Sequence, residues 1–367
     1  MASIDVPAST HTVDVRNIDT TFRLTNGRPA AFMSPAIKGF DRMNALAFSF
    51  LITHKGARGN ETTYLFDLGA PRDWATDLPP DIAQGVAKWE RAGINVEVKQ
   101  NLADILTDSG MSLKDIHGAI WSHPHWDHIG KPSLFPPKTD LIVGPGVKTK
   151  LGPGYPENEA SPFRSEAFAN RKVIELSFEQ SKLSIGGLRA VDFFQDGSLY
   201  FLDAPGHAVG HINALARTSI NPSTFIYMGG DSFHHPATLR PSEFVRLPES
   251  VEVPGLNPYP CPGDVFHPIH PCGSEGRADD TPFVTVSEKS PAIDVSAARE
   301  VVRKIHAFDA DHNIMVIAAH DWSLLDVLEL FPRAANDWKT KGWKEKGRWR
   351  FLVDFQKAVN LVRRQKL

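Results

Sequence analysis

Between Ser122 and Gly130 the chain reads SHPHWDHIG, which places His123, His125, Asp127 and His128 within six residues. Imidazole nitrogen and carboxylate oxygen are donors that zinc takes readily, and a catalytic zinc keeps one position open for water. In an extended chain His123 and His125 point the same way and can share one site. Asp127 and His128, further along, can face a second site beside it. Histidines scattered over a surface loop would not be expected to arrive as H-x-H-x-D-H directly after an apolar run. Three later segments repeat the arrangement. Ser198–Leu202 leads into Asp203-Ala-Pro-Gly-His207, Thr224–Met228 into Gly229-Gly-Asp231, and Asn313–Ala319 into His320-Asp321. Any one of these donors alone reads as a satisfied histidine or a turn residue. Four of them past the ends of strands can gather around one site, because ligands of layered sheets bind where strand-end loops converge.

The elements that must carry these donors are legible as alternating strands and helices. Ala47–Ile52 and Thr63–Leu68 are apolar runs bounded by turn residues and read as neighbouring strands. Ile82, Val86 and Trp89 share one helical face, as do Leu102, Ile105 and Leu106 ahead of a stop at Gly110. The strand Ile116–Trp121 follows. Ala298, Val301, Val302 and Ile305 form another helical face before the strand Asn313–Ala319. This order predicts a layered α/β or α+β fold. With no repeat, low-complexity tract or linker, residues 1–367 read as a single domain.

In this combination the chain resembles the metallo-β-lactamase superfamily. H-x-H-x-D-H, a Gly-His segment, a Gly-Asp segment and a final His occur in order, and Phe66-Asp67-Leu68-Gly69 looks like the family's early strand ending in Asp-x-Gly. The likeness covers roughly residues 45–330. It implies a four-layer αββα sandwich with a two-metal site on one edge. On that pattern His123, His125 and His207 hold the first metal, Asp127, His128 and His320 the second, and Asp231 bridges them. His211, within PGHAVGH, is then a structural hydrogen-bonding residue. Two zinc ions are the implied cofactors, with iron or manganese accepted by the same donors. A water shared by the metals, its pKa lowered from 15.7 toward about 7, would be the hydroxide nucleophile. Asp127 would orient it and relay a proton to the leaving group.

Departures within the pattern narrow the chemistry. Asp231 stands where antibiotic-degrading members usually carry Cys. Homoserine lactonases commonly place Tyr three residues after the bridging Asp, and here that position is His234, a donor for the substrate carbonyl. The run Gly229–His235, Arg240-Pro-Ser and the Pro-rich stretch after it are similar to fungal hydrolases that open lactone or lactam rings. The expected activity is therefore metal-dependent opening of a cyclic ester or amide, a lactone first and a lactam second. The alternative is a thioester hydrolase, either glyoxalase-II-like, with Lys339–Arg350 holding glutathione, or polyketide-linked. A persulfide dioxygenase would use one iron and leave His128 and His320 idle. A non-enzymatic binding module would show a lost donor, and none is missing.

Composition excludes other classes. The 367 residues are 41% hydrophobic and 23% charged, as in globular proteins. Lys plus Arg number 40 against 43 Asp plus Glu, a balance that gives no field for nucleic acid or an anionic membrane. No run of apolar residues is long enough to span a bilayer. Two cysteines and no apolar leader predict a reducing cytosol, and a small-molecule substrate is the expected partner. Pro236–Pro291 holds 11 of the 28 prolines and both cysteines without helical or strand period. It reads as a lid whose Tyr259, Phe266 and Phe283 wall an apolar pocket above the metals, with both cysteines reduced and buried. A zinc knuckle of Cys261, His267, His270 and Cys272 is the other reading, on a spacing that matches no common finger. The basic segment Asn336–Leu367 is expected to pack Trp338, Trp343 and Trp349 on the body and solvate its lysines, a substrate-anion or lipid contact being the alternative.

Overall fold

The structure is a computed structural model that describes residues 3–56 and 59–365; the last two residues of the basic C-terminal segment lie outside that range. Two sheets are stacked between helical layers. The first has seven strands in the order Asn95–Val98, Val13–Gly27, Met43–Lys55, Glu61–Phe66, Ile116–Ile120, Asp140–Val143 and Val173–Glu175. The second has six, Ile314–Ile317, Ser223–Met228, Ile212–Ile220, Leu199–Asp203, Leu188–Asp192 and Ser184–Ile185.

Alternation along each strand sorts side chains between layers. In Met43–Lys55, Leu46, Phe48, Phe50 and Ile52 meet Phe201, Ile212, Ile226 and Met228 of the second sheet. Ala45, Ala47 and Leu51 face outward, under the helices Pro80–Arg91 and Leu102–Asp108. On the far side, Tyr200, Leu202, Leu215 and Tyr227 pack against Ala298, Val301, Val302, Ile305 and Phe308 of the helix Val295–Ala310. Asp294 caps that helix by accepting from the Ala297 amide at 2.9 Å. The order is helix, sheet, sheet, helix, as the αββα expectation requires.

Two differences from the sequence reading concern the site. The strand expected over Thr63–Leu68 ends at Phe66, because Asp67 turns into the left-handed region at φ 61°. Its amide still donates to Ile120 O at 2.8 Å, so the turn stays tied to the neighbouring strand. The Pro-rich stretch does not roof the cavity described below. Phe266 and Phe283 are buried in a separate cluster with Phe351 and Phe355 of the C-terminal segment, and Tyr259 is 60% exposed. Trp338 and Trp343 are buried and Trp349 is half-buried, while most basic residues of that segment stay accessible. Lys344 is the exception. It is buried, donating from Nζ to Asp311 O at 2.8 Å and to Ile314 O.

Candidate metal centre

The parallel strand Ile116–Ile120 ends at buried Trp121, whose ring N–H donates to Ile129 O at 3.1 Å and folds the histidine segment back on itself. His125 then starts the short helix Trp126–Ile129, which carries Asp127 and His128. His207 follows the strand Leu199–Asp203, Asp231 follows Ser223–Met228, and His320 follows Ile314–Ile317. All seven expected donors converge. His123, His125, His207 and Asp231 form one group, and Asp127, His128 and His320 another, with donor atoms in each group within 4.8 Å of one another.

His207 Nε2 lies 2.9 Å from His125 Nδ1 and 3.2 Å from His123 Nε2. Asp231 stands between the groups. Its Oδ1 is 3.1 Å from both His128 Nε2 and His320 Nε2, and its Oδ2 is 3.4 Å from His207 Nε2 and 3.8 Å from His123 Nε2. Asp127 Oδ2 approaches His320 Nε2 to 3.5 Å. His128 Nε2 and Asp231 Oδ1 are both buried and make no hydrogen bond. Leaving a buried polar atom unpaired costs about 1–3 kcal/mol. Two such atoms among converging imidazoles fit a divalent cation, which would coordinate both.

The far sides of the rings are held by a second layer of contacts. With Nδ1 protonated, His128 donates to Asp67 Oδ2 at 2.8 Å, His123 to Ser122 Oγ at 3.0 Å, and His320 to Leu46 O at 2.6 Å. Each ring then turns its Nε2 lone pair inward. Asp67 also accepts from the Ser122 amide at 2.6 Å and hydroxyl at 2.8 Å. The φ of 61° at Asp67 is what aims its carboxylate under the site. The D-x-G pattern marked Asp67 in the sequence, but its contact with His128 needed the fold.

Electrostatics divide the site. Burial, with help from its neighbouring histidines, holds His123 well below the ordinary histidine value; burial likewise depresses His207 and pushes His125 down to about 4. Neutral imidazoles are what metal coordination requires. Burial opposes protonation of His128 and His320 as well, but Asp231 outweighs it at both, assisted by Asp67 at His128, and both are raised. Burial would raise Asp231, yet His320, His128 and His234 hold it well below the carboxylate range. Carboxylates that favour a proton at this half favour a metal cation in its place.

Above the donors lies a cavity of about 200 Å³. Phe22, Leu24, Phe32, Met43, Trp89 and Trp126 give it apolar walls, and Asp127, Asp231, His234 and His320 line its floor. Of the Pro-rich stretch only Pro291 reaches it, and among the described residues no Lys or Arg lines it. His234 stacks on Phe32 with ring centroids 4.6 Å apart and keeps Nε2 3.3 Å from Asp231 Oδ2. The expected walls Tyr259, Phe266 and Phe283 are therefore replaced by residues from the first strand, the segment after it and the outer helical layer. Alternation puts Phe22 and Leu24 on the face away from Val13 and Val15. That period is readable in the sequence, but the destination of the face is not.

Other expected residues are engaged elsewhere. His267 Nε2 pairs with Asp279 Oδ1 at 2.7 Å and His270 Nε2 contacts Thr281 O at 2.8 Å, while Cys261 and Cys272 are free. Neither cysteine joins a metal-competent group among the described residues, and only Cys261 is fully buried. Arg240 turns away from the cavity to clasp Asp309 through two bonds of 2.8 and 2.7 Å. His235 bonds Asp354 at 3.0 Å and the Ala237 amide at 3.2 Å.

An αββα sandwich with buried His and Asp donors gathered at strand ends defines a metallohydrolase. The chain belongs to the metallo-beta-lactamase superfamily, whose family model matches residues 46–215. It is 40% identical over 354 residues to gamma-lactamase FDB1 of Fusarium pseudograminearum, covering 95% of this chain and 84% of that one. It is 41% identical over 360 residues to metallo-hydrolase mfmC of Annulohypoxylon moriforme, covering 98% and 91%. A quorum-quenching N-acyl homoserine lactone hydrolase of known crystal structure shares the fold with a TM-score of 0.51 at 13% identity, over 89% of this chain and 99% of that chain.

Proposed function

We propose that the protein opens the ring of a small, neutral cyclic amide or ester, a lactam or a lactone, with two divalent metals, zinc first. His123, His125 and His207 would hold one ion, Asp127, His128 and His320 the other, and Asp231 would reach both through its two oxygens. Bound metal supplies Lewis acidity, polarising the carbonyl and making water acidic enough to attack near neutral pH. The chain's own groups do the rest. The apolar walls bind the body of the substrate and strip water from it. His234 Nε2, at the cavity floor, donates to the carbonyl oxygen as charge develops there. Asp127, half-buried beside His320, would take the proton given up by the attacking water on the carboxylate oxygen not used for the ion and pass it to the leaving nitrogen or oxygen.

The observation that carries this reading is Asp231 straddling two histidine groups beneath a cavity whose lining, among the described residues, has no Lys or Arg. Glutathione and phosphopantetheine thioesters carry anionic groups that such a lining does not pair. The basic residues around Lys341 and Lys346 line a different groove with Glu252, Asp326 and Glu329. The γ-lactamase relative at 40% identity supports the amide arm and the shared fold is compatible with the ester arm. No helix among the described residues is long and apolar enough to cross a membrane. We place the protein in a reducing cytosol, acting on a small molecule and not on nucleic acid. The test is elemental analysis of the purified protein joined to a pH-indicator screen over lactams, lactones and thioesters. Two metals per chain with ring opening is the expected result, and turnover of thioesters alone would overturn it.

A further inference from the structure

The buried imidazole of His211 does not line the cavity, yet it joins the loops that carry His207 and Asp231. Its Nδ1–H donates to Ala204 O at 2.9 Å, and its Nε2 accepts the backbone N–H of Asp231 at 3.0 Å. The ring therefore has a fixed tautomer and no bonding capacity left. Within the loop it closes, Ala204 N donates to His211 O and His211 N to Ala208 O, both at 3.3 Å. From outside, Asp294 N donates to Gly206 O at 2.9 Å and Ile293 N to His207 O at 3.3 Å, so none of these contacts ties the loop to Asp231. The adjoining Ile212 amide donates to Ser122 O at 2.8 Å, next to His123. Gly230, at φ 47°, leaves room for this approach: a Cβ there would stand 3.0 Å from both His211 Nε2 and Ser122 Oγ.

We propose that His211 is a positioning residue for metal binding, setting the spacing between His207 and Asp231 by holding one loop through each ring nitrogen. This rests on the metal reading of the site. Because Asp231 reaches toward both groups of donors, a shift of its backbone would loosen both at once. A ring that only filled space would act on stability alone.

The test compares His211→Phe, His211→Gln and His211→Asn by zinc competition against a chromophoric chelator, with melting of the metal-free proteins measured in parallel. Groups that support metal ligands in this way are worth about 10–100-fold in affinity. His211→Phe is expected to weaken zinc by at least about 10-fold. His211→Gln, whose Oε1 can replace Nε2 as acceptor for Asp231 N–H, should recover most of that loss, and His211→Asn, which reaches only toward Ala204 O, should not. Wild-type zinc affinity in a folded His211→Phe overturns the proposal. If that variant does not fold, the Gln and Asn variants decide, and equal affinities, or affinities that merely follow melting temperature, overturn it. Wild-type protein that binds no zinc, manganese or iron removes the metal reading, and this inference with it.

Discussion

Replacing Asp67 by Asn isolates the support beneath one half of the metal centre. The substitution preserves volume and suits a backbone at φ 61°, where Asn is among the few tolerated side chains. One oxygen can still accept from the Ser122 amide, now served at 2.6 Å by Oδ1. The amide NH2, however, replaces Oδ2, which today accepts from Ser122 Oγ and His128 Nδ1, each at 2.8 Å. A donor then faces two donors. His128 can relieve this only by giving up its Nδ1 proton and carrying one on Nε2, the atom that lies 3.1 Å from Asp231 Oδ1 inside the site. The ring would then present N–H where a metal needs a lone pair. A hydrogen bond to a charged group is worth about 1.5–3 kcal/mol, which corresponds to roughly 10–150-fold in binding. On the proposed assignment, the loss should fall on the ion that Asp127, His128 and His320 would hold. His123, bonded through Ser122 Oγ, should feel it less, because Ser122 can turn its hydroxyl. Zinc titration against a chromophoric chelator, resolved into two steps, should show one step weakened by that factor and the other within about threefold. Two unchanged steps in a variant with wild-type circular dichroism would refute the reasoning, and so would two steps that fall together.

Asp127→Ala should remove nearly all turnover while melting temperature and the zinc step assigned to His123, His125 and His207 persist; activity near wild type would exclude a proton-transferring role at that position. His234→Phe keeps a ring to stack on Phe32, so stability should change by less than about 1 kcal/mol, while kcat falls at least about 10-fold through loss of a donor to the carbonyl. An unchanged kcat would place His234 outside the reaction. Lys344 is pushed by burial from 10.5 down to about 7, against the pull of Asp309. Between those values the unfolded chain holds a proton that the folded one lacks, so stability should rise with pH by up to about 1.4 kcal/mol per pH unit. Below pH 7 the lysine is charged in both states and the burial cost is present in full. Lys344→Met should flatten that slope in urea unfolding at pH 7.5, 8.5 and 9.5, and parallel curves for the two proteins would show that Lys344 is not its source.

The donors were legible because their chemistry differs from that of the elements around them. A histidine or aspartate that ends an apolar run stands out in type, and the strands Ile116–Ile120, Leu199–Asp203, Ser223–Met228 and Ile314–Ile317 each end within a few residues of one. Helical spacing placed Val86 and Leu106 under the first sheet and Val301 and Ile305 under the second. The cavity walls offered no such contrast. Phe22 and Leu24 are the same kinds of residue as Phe48 and Ile52, which fill the space between the sheets. Whether an apolar side chain meets a core or a substrate depends on what the next layer leaves open.

The Pro-rich stretch shows the converse. Its lack of period was visible, and it does fold into turns, two-residue strands and short 3-10 helices, the longest of them Gly263–Ile269. What it covers is decided by contacts far away in sequence. Thr285 and Val286 pair with Ser34 and Met33, Ser287 N donates to Phe32 O at 3.0 Å, and Phe283 packs 4.8 Å from Phe355. The stretch therefore reaches the cavity mainly through Phe32, the ring that stacks on His234. Changes inside it would act on the cavity by moving that ring, without touching one of the seven clustered donors. The centre and the pocket are thus built from separable parts: strand ends of both sheets hold the donors, while Phe22, Leu24, Phe32 and Trp89 shape what reaches them. A chain built this way can change what its walls admit while its donor set stays fixed.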